Sequence, residues 1–264
     1  MSNKLVKKFL ISFTKKFLPD SIFLFVKKQY YKFNKKLFSP GNEPELSILK
    51  KIINRNDSVI DVGANIGVFT KNLADLVGKE GLVIGIEPIP FTYEVLKSNM
   101  KYFGLKNVKL YNCAVSAKNG KVTMIVPSSE FGTDNFYEAR ISPSLGNSGN
   151  TLQIDAITLD GLSENIGAKI SFVKIDVEGH ELDCIKGAKN FLIKNKPLLL
   201  IEVSGDPDDS SSTSFELFKI LAELGYSPYT CNGKTFKKRI YNTQSINYFF
   251  FAEKHISKFP GLIS

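Results

Sequence analysis

Five ionisable residues fall within eight positions of one segment, SFVKIDVEGHE: Lys174, Asp176, Glu178, His180 and Glu181. Such a set can take up a proton, form an ion pair or hold a hard cation. Upstream, SVIDVGANIGVFT (58–70) puts Asp61 at the end of an apolar run, followed by Gly63 and Gly67 in a short turn before a helical pattern. Glycine allows close approach to the backbone and makes positive φ cheap. The helix start behind it offers unpaired N–H groups. A second apolar run ends in Glu87, within IEP.

The elements that must carry these residues follow from periodicity. Short apolar runs predict strands at 58–62, 82–86, 108–114, 170–175 and 198–203, alternating with helical patterns at 44–54, 67–77, 91–103, 181–193 and 214–224. That alternation predicts an α/β fold with a doubly wound, mostly parallel sheet. In such sheets ligands sit beyond the carboxyl ends of the strands, where Asp61, Glu87 and Asp176 all fall. Period-two alternation puts Lys174 and Asp176 on one side of their strand, so they can pair. Residues 121–126 and 151–159 alternate like an inserted hairpin around the polar stretch 127–150. Residues 226–231 and 247–253 read as a C-terminal antiparallel hairpin joined by a basic loop, Lys234–Arg239. The break at Pro40-Gly41-Asn42-Glu43-Pro44 places a boundary between a 1–40 arm and a 41–264 domain.

The glycine turn narrows the ligand. GxxxxGK[ST] is absent, and Gly63 and Gly67 do not make GxGxxG. A carboxylate at Glu87 can accept hydrogen bonds from both hydroxyls of a ribose. The spacing Asp61-x-Gly63-x-Asn65-x-Gly67 resembles the acidic-GxGxG loop of class I S-adenosylmethionine-dependent methyltransferases, with Asn in place of the middle Gly. Four stretches are similar to the FkbM family of methyltransferases: VIDVGANIGVFT (59–70), IEPIP (86–90), CAVS (113–116) and FVKIDVEGHELDCIKGA (172–188). The similarity runs from about residue 43 to 254.

The resemblance implies a seven-stranded Rossmann-like sheet and S-adenosylmethionine as cofactor. By the same resemblance, Asp61, Gly63, Ala64, Asn65 and Gly67 line its amino acid end. Glu87 and Pro88 meet the ribose, and Asn112 and Ala114 the adenine. The acceptor it implies is a hydroxyl, on a sugar in a glycan or a lipid-linked saccharide. Asp176 is the first candidate base, or else holds the cofactor's amino group, and His180 is the second. Lys174 orients a carboxylate or substrate oxygen, or forms a structural ion pair. Glu178 is carried as a site residue, although an acid also suits a helix's first turn. Asp176, Glu178, His180 and Glu202 form the best metal alternative, but no metal is expected. The competing readings are N- or carboxyl-methylation on the same scaffold and a membrane-docked, non-catalytic binding protein.

Charge separates the arm from this chemistry. The 264 residues carry a net charge of +9, and residues 1–40, with ten Lys and one Asp, account for all of it. The neutral body argues against nucleic acid as partner. Leu5, Phe9, Phe13 and Phe17, flanked by Lys, predict a basic amphipathic helix that either packs on the domain or lies on an anionic membrane. No run is long enough to span a bilayer, and a secretory signal is not expected. Cys113, Cys184 and Cys231 are too dispersed for a zinc site or a disulfide framework, which fits a cytoplasmic location.

Overall fold

The computed structural model describes residues 19–126, 140, 141 and 150–263. The helix expected over 1–18 and most of the 127–150 loop, Tyr137 included, lie outside them. In chain order the strands are β1 (Ser58–Val62), β2 (Leu82–Ile86), β3 (Val108–Tyr111), β4 (Ala114–Val115), β5 (Gly120–Val126), β6 (Arg140–Ile141), β7 (Asn150–Ile157), β8 (Ile170–Ile175), β9 (Leu198–Glu202), β10 (Tyr226–Cys231), β11 (Phe236–Lys238) and β12 (Asn247–Ala252). The helices are α1 (Asp20–Phe33), α2 (Pro44–Leu49), α3 (Val68–Val77), α4 (Pro90–Tyr102), α5 (Leu159–Glu164), α6 (Glu181–Lys186), α7 (Lys189–Asn195), α8 (Thr213–Glu223) and α9 (Glu253–Lys258).

Eight strands form the main sheet, in the order β11-β10-β12-β9-β8-β1-β2-β3. The five strands from β3 to β9 run parallel, and β12 and β10 turn antiparallel, as the C-terminal pattern predicts. The eighth strand is β11, three residues inside the basic loop. It pairs with β10 and is pinned by Phe236, whose ring stacks edge-on against Phe249 and Phe251. Its Lys237 and Lys238 face outward, so no apolar alternation announces it.

Apolar runs in the central strands reflect burial on both sides. Ile60, Val62, Val173, Ile175, Leu199 and Ile201 face a core shared with α5 to α8. Val59, Val83, Phe172, Leu198 and Leu200 face another, shared with α2 and α3. A second, four-stranded sheet, β4-β7-β5-β6, holds the expected inserted hairpin. Its apolar face packs through Ala114, Met124, Val126 and Ile154 on Ile89.

Two expected elements are divided. The run 108–114 breaks after Tyr111, so Asn112 and Cys113 leave the sheet before β4 joins the smaller one. The pattern 181–193 breaks at Gly187, where a Cβ would stand 2.1 Å from the Ser116 carbonyl oxygen. Close backbone contact there selects glycine and ends α6.

The described end of the arm packs on the body. Phe23 stacks on Phe91 at the start of α4, with ring centroids 5.5 Å apart. Lys28 pairs with Glu94 at 3.0 Å, and Tyr31 and Phe38 are buried with Val95.

Candidate active site

β1, β2 and β8 bring the chemistry together because they are neighbours. In the register of β1 with β8, Asp61 lies beside Lys174. Asp61 is completely buried. Its Oδ2 accepts a 2.6 Å hydrogen bond from Thr70 on α3, and its Oδ1 has no hydrogen-bond partner, with Lys174 Nζ 3.9 Å away. Burial pushes the Asp61 carboxyl up, against the pull of Lys174 and Thr70. Lys174 is itself buried, donates to Asp176 Oδ2 at 2.9 Å, and lies over the Phe69 ring at 4.8 Å. Burial opposes its charge, but Asp176 and Asp61 outweigh that and raise its pKa.

The glycine turn is built around the strand ends. Gly63 and Ala64 both donate to the Ile86 carbonyl, and Asp176 donates to that of Val62. Gly63 has φ +76°, and a Cβ there would stand 1.7 Å from the Asp176 carbonyl oxygen, so β1 and β8 meet only over a glycine. Gly67 caps α3 with φ +93°. Asn65 stands where a glycine would, with φ +50°, a left-handed conformation that Asn tolerates better than most residues.

Glu87 is nearly as buried as Asp61. Its Oε2 accepts from the Asn65 N–H at 2.9 Å and its Oε1 from the Ile89 N–H at 3.0 Å. Burial pushes its pKa up to about 7 despite those two bonds. Asn112 does not line the cleft. Its amide donates to the carbonyls of Glu87 and Pro88, fixing the turn that carries the acid.

A cleft opens beyond these strand ends. Its walls include Gly63, Asn65, Glu87, Pro88, Ala114, Asp176 and Glu178 from the expected set. Asp61, Ala64, Gly67 and Lys174 stand behind it as supports. Sequence spacing did not indicate Ile89, Thr92, Cys113, Met124 and Ile141, which also line the wall. The Cys113 thiol is pushed up to about 11 by burial, with a smaller push from Asp155, so it is an apolar wall group rather than a nucleophile.

His180 turns away from this cleft. Its Nε2 is 3.0 Å from Ser116 Oγ and its Nδ1 is 3.4 Å from Asp183. Burial holds its pKa down, with Asp183 pulling the other way. Glu181 is buried and accepts the Gly179 N–H at 2.8 Å, closing the turn before α6. Glu178 sits in that turn with φ +52°. Oxygens of Asp176, Glu178 and Glu202 lie within 4.8 Å of one another, the described group best placed to share a cation. The Glu202 carboxyl is pushed up to about 7, first by burial and then by Asp176.

Residues 61–228 match the family described as the methyltransferase FkbM domain. The chain belongs to the FkbM methyltransferase family.

Methyltransferase 1 of Beauveria bassiana is 24% identical over 165 residues, covering 56% of this chain and 66% of its own length. A probable cobalt-precorrin-6B C(15)-methyltransferase (decarboxylating) of Saccharolobus solfataricus is 31% identical, over 54% of this chain and 74% of its own. The solved FkbM methyltransferase of Methylobacillus flagellatus is 18% identical with a TM-score of 0.48, and the alignment covers 74% of this chain and 43% of that one.

The cofactor of this FkbM domain is S-adenosylmethionine, and the residues present fit it. Glu87 uses one N–H bond per oxygen, leaving lone pairs for ribose hydroxyls. Asn65 Oδ1 is buried, borders the cleft and has no hydrogen-bond partner among the described residues. Such an acceptor is costly unless a donor from outside meets it.

Proposed function

We propose that this FkbM methyltransferase methylates a hydroxyl group, on a sugar of a glycan or lipid-linked saccharide. The observation that carries the reading is Asp176. It is the carboxylate that both lines the cleft and is held by a buried cation, with part of its surface open. S-adenosylmethionine, when bound, supplies an electrophilic methyl group. What remains is to place an oxygen and remove its proton. Lys174 fixes the Asp176 carboxylate from behind, leaving its outer oxygen to accept the acceptor's proton.

Glu178 lines the same cleft, Glu202 stands beside it, and both can accept hydrogen bonds from neighbouring hydroxyls. A crowd of carboxylates also repels an ionised carboxyl acceptor, which disfavours carboxyl methylation.

Asp176→Asn tests the proposal. Calorimetry should show S-adenosylmethionine still binding, while labelled methyl transfer to oligosaccharide and lipid-linked sugar acceptors falls about 100-fold or more. Full transfer by the variant, or transfer by the wild type to amines alone, would sink the hydroxyl reading.

A further inference from the structure

α1 is apolar on two sides, and only one of them is packed among the described residues. Phe23 and Tyr31 are buried against α4 and Phe38. At 100° per residue, Ile22, Phe25, Val26 and Phe33 fall within an arc of about 100° on the opposite side. They are 46%, 61%, 44% and 85% exposed. Singly exposed apolar residues are ordinary, but four on one face of one helix form a patch.

The charge around the patch is one-sided. Residues 19–40 contain five Lys and one acid, Asp20. By the same helical angles Asp20 and Lys27 fall on the packed side and Lys28 is held by Glu94, while Lys32 borders the exposed face. Lys35 follows in the next turn, over the Tyr102 ring. The remainder of the 1–40 segment adds five more Lys and no acid.

We propose that this face of α1 docks on an anionic phospholipid bilayer. Ile22, Phe25, Val26 and Phe33 enter the headgroup boundary, and Lys32 at its border meets lipid phosphates. A protein partner would need acidic side chains arranged to match, whereas a bilayer meets apolar depth and diffuse positive charge at once. The packed side of the same helix lies near the cleft. Phe23 packs on Phe91, which lies between two cleft residues, Ile89 and Thr92.

The test uses the full chain with two kinds of vesicle, phosphatidylcholine alone and phosphatidylcholine with phosphatidylglycerol. Co-sedimentation should occur with the anionic vesicles and weaken with salt. The double variant Phe25→Glu, Phe33→Glu should reduce the bound fraction about tenfold or more, since it removes two apolar anchors and adds like charge. Calorimetric binding of S-adenosylmethionine should be unchanged, because neither residue touches the cleft. Equal sedimentation of wild type and double variant would overturn the proposal. So would a wild-type dimer that the double variant converts to monomer on a sizing column, which would show that a second copy covers the face.

Discussion

Lys174 holds the site at its finest scale, because two carboxylates of different use share its single charge. One, Asp61, is sealed in the protein; the other, Asp176, reaches the cleft. Lys174→Met strands both. Breaking a buried pair typically costs about 3–5 kcal/mol, and denaturant unfolding should show a loss of that order. Glu87 gives a pH signature. Its pKa stands near 7 in the free protein, and donation from ribose hydroxyls favours the ionised form. Binding of S-adenosylmethionine should therefore release a proton below that pH. Affinity should rise toward neutrality by up to about tenfold per pH unit and then level off. Calorimetry in buffers of different ionisation enthalpy reads this directly, and Glu87→Gln should abolish it. The sign for stability is opposite. Between the ordinary 4.5 and about 7, folded Glu87 keeps a proton that the unfolded chain has lost. That contribution fades as pH rises through 7. Asp61, Glu87 and the Lys174–Asp176 pair were legible in the sequence because strand ends and period-two alternation set their places. Thr70 was not, since its hydroxyl reaches Asp61 from another element. His180 is near the cleft in sequence, but local turn geometry aims its side chain at Ser116.

Elements meet at glycines whose missing side chains are filled by backbone. Gly63→Ala should be severe, because the new methyl overlaps the Asp176 carbonyl and nothing flexible can yield. Gly179→Ala is the control: φ is also positive, +93°, but nothing lies within 4 Å. It should lose about 1–3 kcal/mol from backbone strain alone, whereas Gly63→Ala should lose more and weaken cofactor binding. Thermal unfolding and calorimetry of the two variants separate these cases. Strands β1, β2, β8 and β10 fall where their apolar periodicity puts them. The pattern fails where a pairing partner rather than hydrophobicity defines the element, as in β11. It also fails where close packing interrupts a helix, as at Gly187. The cleft wall was illegible for a related reason. Met124 and Ile141 come from the second sheet, and no spacing along the chain reveals that this sheet packs on Ile89 at the cleft.

Over the whole molecule, the basic arm and the neutral body are separate in charge but joined in packing. Phe38 is 2% exposed, wedged edge-on between Tyr31 and Phe103. Phe38→Ala should cost about 3–5 kcal/mol, as for a core phenylalanine, rather than the fraction expected of a loose tail. Chemical denaturation should show it within the same single transition as the body. The charge asymmetry was plain in the sequence; the two-sided character of α1 was not, because one apolar periodicity serves both a buried and an open face. Among the described residues no helix is long and apolar enough to cross a membrane. The three thiols are graded by depth, from half-buried Cys231 to Cys113 in the cleft wall to fully buried Cys184. The native chain therefore carries its own chemical footprint: an alkylating reagent meets Cys231 first, and the slower modification of Cys113 reports occupancy of the cleft without any engineered label.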